Sequence, residues 1–446
     1  METETITMAT VQALLAAGRQ VEARAALAQA LAANPDDADM AHAAGVLAFQ
    51  HGDATAAVAL LERAAAGSNL PQYRNNLGVV LRALGRSDEA AAAFEALLAR
   101  DPGYTEAWNN LGAVHREAGR LAEAVDAYRR ALVADPGNLM AAQNLRVAYS
   151  DAVPTWHFAM MNDVSRNQAY AEALARLAPG RHVLDIGTGA GLLAMMAARA
   201  GAARVTTCEM VPFIADRARE IISANGYGDR VTLIAKRSND IDVAADMGEP
   251  ADLLVTETFS SGLLAEHALP TVEDARARLL KPGAPVIPLG AVARGYLVGG
   301  VSLYATLFVG VSAGFDLSGF NEFAPPHVGI HIDAIPHDVL SDDVDLLGFD
   351  LRAAAFPAGD REVTITATRP GRAVAVAQWL QLDFGEGVSY TNRPRGHHWS
   401  SGWTHILYRL PRPLQVNRGD RLQFLVTHDR ANLEVNFRRH LPAVRL

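Results

Sequence analysis

The sequence predicts a fold of class α + α/β + β, made of three consecutive domains. A helical repeat array is expected at residues 1–150, because a pattern of small and polar residues returns every 34 residues there. An α/β domain is expected at 151–289, where a short apolar strand, a glycine-rich turn and a helical stretch follow one another. An all-β domain is expected at 290–446, where short alternating strands are separated by Gly and Pro.

The composition is that of a folded globular protein. The chain has 446 residues, of which 50% are hydrophobic and 20% charged, and this excludes an intrinsically disordered protein. The single cysteine, Cys208, is expected to be a buried core thiol. It excludes an internal disulfide framework and a cysteine-rich zinc site, and we expect no metal. The formal charge of -9 argues against nucleic-acid binding.

Two segments bear on the location of the protein. The N-terminus carries acidic residues where a secretory signal needs basic ones, so we expect a cytoplasmic protein. The apolar stretch at 296–315 is about long enough to span a bilayer, but Ser302, Thr306, Ser312 and several glycines interrupt it. Its β-branched and aromatic residues predict two buried strands instead, and no association with a membrane.

The repeat period is carried by matching residues in successive units. The segment at 75–78, Asn-Asn-Leu-Gly, returns at 109–112. The turn glycines recur at nearly the same interval, as Gly18, Gly52, Gly85 and Gly119. Two helices per unit, with small residues where they cross and a proline after the second, resemble the tetratricopeptide repeat. The resemblance implies about three full repeats and a partial leading hairpin within residues 8–148, and a polypeptide partner bound in a concave groove.

Three asparagines recur on the first helix of successive repeats, namely Asn76, Asn110 and Asn144. An amide side chain can both donate to and accept from a peptide backbone, so a ladder of asparagines can hold an extended substrate segment. The alternative is that these side chains form hydrogen bonds between the repeats. The sequence leaves both open.

The α/β domain opens with a ligand-binding type of turn. The strand at 182–186 leads into Gly-Thr-Gly-Ala-Gly at 187–191, and such a turn presents backbone N–H groups to a ligand. A nicotinamide dinucleotide fingerprint would need its third glycine at Leu192, so that cofactor is not indicated. Asp185 precedes the turn, and Glu209 ends the next strand, where an acid can accept hydrogen bonds from both ribose hydroxyls.

The order of strand, acid, glycine turn, helix, strand and acid resembles the class I S-adenosylmethionine-dependent methyltransferases, which have a Rossmann-like fold. The resemblance implies S-adenosyl-L-methionine as the cofactor. Its cofactor-binding residues would include Asp185, Gly187, Gly189 and Glu209. Ser238 follows the next strand at the position where this fold usually contacts adenine.

Two glutamates lie nine residues apart after a further apolar strand. That strand, at 252–256, ends at Glu257, and a loop then runs to Glu266. The carboxyl ends of parallel strands meet at one edge of the sheet, so both acids can face the donor. Two carboxylates can fix the plane of a guanidinium and raise the electron density on one terminal nitrogen. Each glutamate alone is typical of a helix cap or a solvated acid, whereas the pair predicts a catalytic site.

This spacing resembles the double-glutamate loop of the protein arginine methyltransferases. The resemblance implies that Glu257 and Glu266 are catalytic, and that Arg166 pairs with the carboxylate of the donor. His157 and Met160 would face the donor from the same N-terminal helical segment. It also implies a C-terminal β-barrel whose Trp403 binds substrate, and a homodimer formed through a dimerisation arm that the sequence does not locate.

The sequence departs from this family just before Trp403. Ser401 and Gly402 stand there, where the family usually has a histidine next to the tryptophan. A His398-Trp399 pair occurs four residues earlier, but the spacing to the following strand favours Trp403. Members that make symmetric dimethylarginine also carry small residues here. The substitution therefore favours that product class, and it equally permits a weak or inactive enzyme.

The whole sequence resembles the first half of the tetratricopeptide-containing arginine methyltransferase, with one catalytic module. We therefore predict an S-adenosylmethionine-dependent methyltransferase that modifies arginine side chains of a protein recruited by the repeats. Two alternatives remain open. One is a methyltransferase for a small molecule or another amine, and the other is a catalytically silent scaffold that binds the donor without turnover.

Overall fold

The structure is a computed structural model that describes residues 6–153, 155–264, 266–394 and 401–443. The chain divides into two compact units, one up to residue 154 and one from residue 155 onward. Each unit has its own buried hydrophobic clusters.

The first unit is built from antiparallel helix pairs. Its helices are α1 (Met8–Ala16), α2 (Gln20–Ala33), α3 (Ala38–Gln50), α4 (Ala54–Gly67), α5 (Pro71–Ala83), α6 (Ser87–Leu98), α7 (Thr105–Glu117), α8 (Leu121–Ala134) and α9 (Leu139–Ala152). Each odd-numbered helix up to α7 packs on the next helix, and α9 packs on α8. The predicted helical repeat array is confirmed.

Glycines allow the two helices of a repeat to cross closely. A Cβ atom added to Gly78 would lie 2.6 Å from the ring of Phe94, and one added to Gly112 would lie 2.5 Å from the ring of Tyr128. Both rings are fully buried in a close-packed core and have no space into which to move. The repeated glycine and the repeated aromatic residue are therefore the two halves of one helix contact.

The second unit begins with a parallel sheet and its helices. The elements are α10 (Trp156–Met161), α11 (Val164–Leu177), β1 (His182–Ile186), α12 (Leu192–Arg199), β2 (Arg204–Cys208), α13 (Pro212–Ala224), β3 (Val231–Ile234), β4 (Leu253–Thr256), α14 (Ala268–Asp274) and β5 (Val286–Ile287). The strand order is β3-β2-β1-β4-β5, with all pairs parallel. The order reverses between β1 and β4, which is where open α/β sheets bind their ligands.

Antiparallel strands and one short helix follow. They are β6 (Gly290–Gly299), helix α15 (Val301–Leu307), β7 (Val311–Ser312), β8 (Phe315–Asp316), β9 (His327–Ile330), β10 (Asp338–Val339), β11 (Val344–Asp350), β12 (Gly359–Thr366), β13 (Gly371–Asp383), β14 (Ser389–Thr391), β15 (His405–Val416), β16 (Arg421–His428) and β17 (Leu433–Leu441). The largest sheet is arranged around β6, β13 and β15, and β12, β16 and β17 form another. The predicted all-β part of the fold is confirmed.

The expectation of two buried strands at 296–315 is wrong for its second half. The first residues complete the buried strand β6, but Gly300 has a φ of 109° and the strand ends there. The chain then forms the short helix α15 and a hairpin whose Val311 and Phe315 are 74% and 71% exposed. Within the described residues, no helix is long and apolar enough to cross a membrane.

Candidate active site

The glycine turn after β1 has the geometry of a backbone cradle. Gly187, Gly189 and Gly191 have φ values of 88°, 52° and 85°, which residues with a side chain rarely adopt. The N–H of Gly189 donates to Glu209 Oε2 at 3.2 Å. Apart from Gly189 and its two chain neighbours, no atom of the described residues lies within 4 Å of the place where a Cβ of Gly189 would be. The turn therefore leaves open space beside the carboxylate of Glu209.

Two acids flank this turn. Asp185 is fully buried, and its Oδ2 accepts a hydrogen bond from Thr207 Oγ1 at 2.8 Å. Burial raises the pKa of Asp185 to about 7. Glu209 is half-buried, and its Oε1 accepts from the N–H of Val211 at 2.9 Å. Because a carboxylate has about four acceptor positions, Glu209 retains the capacity to bind two hydroxyl groups.

Arg166 and Glu257 form a buried ion pair. Arg166 Nη2 lies 3.0 Å from Glu257 Oε2, and the two side chains are only 3% and 6% exposed. Arg166 Nη1 donates to Asn167 Oδ1 at 2.7 Å. Arg166 Nε is buried and has no hydrogen-bond partner among the described residues. A buried N–H without a partner is costly, so this side chain fits a site that takes up a further anionic group, such as the carboxylate of a bound donor.

Both glutamates of the loop after β4 have raised pKa values. Burial raises the pKa of Glu257 to about 7, with Arg166 acting against this shift and Glu266 adding to it. Desolvation by the surrounding protein also raises the pKa of Glu266, although the residue is exposed. A bound cation would favour the ionised form of both carboxyl groups.

A cavity of 410 Å³ reaches Glu266. It is formed by the loop after β4, the segment before and within β15, and the connection between β16 and β17. Its lining residues are Trp156, Ser260, Ser261, Gly262, Glu266, His327, Gly402, Trp403, Thr404, Ile406, Tyr408, Ala431, Asn432, Leu433 and Glu434. Carboxylates beside tryptophan rings are suited to a planar cation. Trp156 and Glu434 line this cavity although no sequence motif predicts a role for either.

Trp403 anchors the loop that carries the two glutamates. Its Nε1 donates to the carbonyl oxygen of Phe259 at 2.8 Å, and its side chain is buried although it lines the cavity. The next residue, Thr404, donates its N–H to Ser261 Oγ at 3.0 Å. The antiparallel sheet therefore holds the middle of the glutamate loop in place. His398 and Trp399 lie outside the described residues.

Three further residues assigned by resemblance have local structural contacts. Ser238 is buried at a short turn, where its carbonyl oxygen accepts from Arg278 Nη2 at 3.1 Å. His157 stacks on Trp156 with ring centroids 3.8 Å apart. The backbone of Met160 lies directly against Gly402.

The asparagine ladder of the repeat unit makes hydrogen bonds between repeats. Asn110 Nδ2 donates to Asn75 Oδ1 at 3.0 Å, and Asn144 Nδ2 donates to Asn109 Oδ1 at 2.9 Å. Asn76 Nδ2 lies 2.8 Å from a ring nitrogen of the preceding repeat, in His42. The alternative that these side chains form hydrogen bonds between the repeats is thus observed. The ladder residues remain half-exposed, and each amide has a second N–H, so substrate binding there stays a prediction.

Comparisons with known proteins agree with both units. The family model of the tetratricopeptide repeat matches residues 8–71 and 75–138, and the model of ribosomal protein L11 methyltransferase matches residues 169–290. An arginine N(omega)-methyltransferase of Streptomyces achromogenes subsp. streptozoticus is 44% identical over 274 residues, covering 60% of this chain and 75% of that protein. The chain belongs to the arginine methyltransferase family. This confirms the prediction of an S-adenosylmethionine-dependent methyltransferase.

Other family members share parts of the chain or its fold. Protein arginine N-methyltransferase 7 of Drosophila yakuba is 33% identical over 330 residues, covering 64% of this chain and 48% of that protein, so the chain spans about half of its length. The Trypanosoma brucei PRMT1 enzyme-prozyme complex with AdoHcy is 24% identical, with a TM-score of 0.56, and the match covers 65% of this chain and 95% of that one. Arabidopsis thaliana protein arginine methyltransferase 10 is 20% identical, with a TM-score of 0.51 and coverages of 63% and 97%. These two structures share the fold.

Proposed function

We propose that this protein transfers a methyl group from S-adenosylmethionine to the guanidinium of arginine, with Glu257 and Glu266 as its catalytic carboxylates. One observation supports this most directly. Glu257, buried at the end of β4, already binds a guanidinium, that of Arg166. The site therefore has the chemistry to accept the functional group that the proposed reaction modifies.

The donor would be held at the carboxyl ends of β1 and β2. Gly189 and Glu209 lie beside the open space at the glycine turn, Asp185 and Gly187 stand at the end of β1 next to it, and Ser238 lies after β3. Arg166, with its unpartnered Nε, would pair with the amino-acid carboxylate of the donor. When bound, S-adenosylmethionine supplies an electrophilic methyl group.

The acceptor would be positioned by the glutamate pair. Ionised Glu257 and Glu266 would fix the guanidinium plane and keep one terminal nitrogen in line with the methyl group. Because Glu257 has a pKa of about 7 in this structure, binding a cation there would release a proton near neutral pH. Trp403 contributes by holding the glutamate loop and by forming one wall of the cavity.

A second candidate acceptor is free arginine or another small amine. It is favoured by the name of the Streptomyces relative, which specifies arginine, whereas the fly relative is named for arginine in protein. The two candidates are separated by offering free arginine and an arginine-rich protein to the same preparation with labelled donor. Incorporation only into the free amino acid would exclude the protein substrate.

Donor binding is expected to depend on Glu209. Replacing Glu209 with Ala removes the acceptor of two ribose hydroxyl hydrogen bonds, each worth about 1.5–3 kcal/mol when one partner is charged, so the affinity should fall at least about tenfold. Calorimetry with S-adenosylhomocysteine measures this, and Glu220→Ala on the exposed face of α13 is the matched control. Unchanged affinity in folded Glu209→Ala protein would remove Glu209 from the donor site.

The repeats are proposed to bind the polypeptide substrate. Tetratricopeptide arrays present a groove to protein partners, and the half-exposed Asn76, Asn110 and Asn144 lie at equivalent places in successive repeats. Changing all three to Ala should raise KM for a protein substrate several-fold and leave a short arginine peptide unaffected. Equal losses on both substrates would mean that the ladder serves only the inter-repeat hydrogen bonds that are observed.

A homodimer is proposed to form through the segment at 311–323. Within it Val311, Phe315, Phe320 and Phe323 are between 70% and 74% exposed. A patch of this kind is unusual on a monomer and marks an interaction surface. The triple variant Phe315→Ser, Phe320→Ser, Phe323→Ser should be monomeric by light scattering, whereas Leu139→Ser, at an exposed leucine of α9, should not change the mass. A wild type that is already monomeric would contradict the dimer.

A further inference from the structure

The place of the missing histidine is closed in this protein. A Cβ atom on Gly402 would lie 2.6 Å from the backbone nitrogen of Met160 and 2.7 Å from its Cα. These are backbone atoms of α10, which cannot rotate away as the end of a side chain could. A residue with any side chain at position 402 would therefore require α10 to move.

Tyr390 on β14 places a hydroxyl beside the segment that precedes Trp403. It is 2% exposed, and its hydroxyl donates to Asp163 Oδ2. Ser401 Oγ lies 2.9 Å from the same hydroxyl and accepts from the N–H of Trp403 at 3.2 Å. Because an ionised carboxylate only accepts, the donors run in one direction, from Trp403 through Ser401 and Tyr390 to Asp163.

Asp163 connects this chain of hydrogen bonds to Arg166. Its other oxygen, Oδ1, accepts from the N–H of Arg166 at 3.0 Å and so caps the first turn of α11. Arg166 is a residue of that first turn, and its guanidinium binds Glu257. The carboxylate of Asp163 thus links the antiparallel sheet to the helix turn that carries Arg166, the residue proposed to bind the donor.

We infer that Tyr390 is a positioning residue that sets Arg166 for the amino-acid end of the donor by holding Asp163. This inference rests on the proposed donor site. Tyr390 acts through its hydrogen bond and not as a proton carrier, since burial and the contact with Asp163 raise its pKa well above the usual value for tyrosine. Its ring also packs against Trp403, with centroids 5.5 Å apart, so the phenyl part of the side chain is already held without the hydroxyl.

Two ligands separate positioning from general stability. S-adenosylhomocysteine carries the amino-acid carboxylate, whereas 5′-methylthioadenosine has the same nucleoside without it. In Tyr390→Phe, which removes only the hydroxyl, we expect the affinity for S-adenosylhomocysteine to fall about tenfold and that for 5′-methylthioadenosine to stay the same, as measured by calorimetry. A merely structural role of Tyr390 would lower the affinity for both ligands equally.

Two further variants keep the test decisive. Ser401→Ala retains Tyr390 but removes the hydroxyl that donates a hydrogen bond to it. This variant should show a smaller loss of affinity for S-adenosylhomocysteine, and it replaces Tyr390→Phe in the test if that variant does not fold. Tyr296→Phe removes a hydroxyl from an equally buried tyrosine of β6 and should leave the affinity ratio unchanged. Equal losses for both ligands in Tyr390→Phe, or no loss for either, would overturn the inference. A wild type that binds neither ligand would instead refute the proposed donor site, and this inference with it.

Discussion

Glu266→Gln is expected to lower the rate of methyl transfer about 100- to 1,000-fold while the protein still binds its donor. Glutamine keeps the size of the side chain but removes the charge that orients and polarises a guanidinium. Glu257→Gln should lose as much. Because the two carboxylates act on one cation, the double variant should be little worse than either single variant. Initial rates with labelled donor and an arginine-rich protein measure all three.

The buried ion pair makes Glu266 the cleaner of the two tests. Glu257 binds Arg166, so Glu257→Gln is expected to change the affinity for the donor as well. Glu266→Gln should leave the affinity for the donor unchanged. Glu249→Gln is the matched control, since Glu249 is 57% exposed and pairs with Lys281 on the surface. Variants of Glu257 and Glu266 that keep most of their rate would remove the arginine mechanism and favour the small-molecule alternative.

Arg166→Met is expected to cost about 3–5 kcal/mol of unfolding free energy, because it leaves the carboxylate of Glu257 buried without its partner. The loss of Arg166 raises the pKa of Glu257 further above its value in the unfolded chain. Stability is then lost as the pH rises through that raised pKa. The free energy of unfolding of the variant should therefore be lower at about pH 8.5 than at about pH 6. Urea unfolding at the two pH values measures this.

A second change shows whether the pair is the cause. Adding Glu257→Gln to Arg166→Met removes the unpaired charge, so the double variant should recover much of the lost stability and should lose most of the pH dependence of Arg166→Met. Donor binding should remain weak, because Arg166 is still absent. A double variant that is no more stable than Arg166→Met would show that the ion pair does not account for the loss.

The parallel sheet could be predicted closely from the sequence because its signals are local. The strands at 182–186, 204–208 and 231–234 are short runs rich in apolar and β-branched residues between turns, and the structure has β1, β2 and β3 with these bounds. The expectation of two buried strands at 296–315 is wrong because the apolar residues at 311 and 315 lie in an exposed hairpin. An apolar residue in an exposed hairpin has the same local pattern as one in a core strand, and only tertiary structure distinguishes them.

The contacts between distant segments could not be predicted. Arg166 and Glu257 were both expected in the site, but their pairing depends on how α11 packs at the end of β4. Tyr390 carries no motif, and its contact with Asp163 joins residues 227 positions apart. The sequence allows two roles for the repeat asparagines because an amide can serve either, and only the structure shows the inter-repeat hydrogen bonds.

The most direct measurement of the central claim is to incubate the protein with methyl-labelled S-adenosylmethionine and an arginine-rich protein, and to hydrolyse the product for amino-acid analysis. The proposed function predicts label in methylated arginine, and little or no label with Glu266→Gln. Label in another amine or only in a small molecule would contradict the proposed protein substrate. Tight donor binding with no transfer to any acceptor would contradict catalysis and leave a repeat protein that only binds the donor.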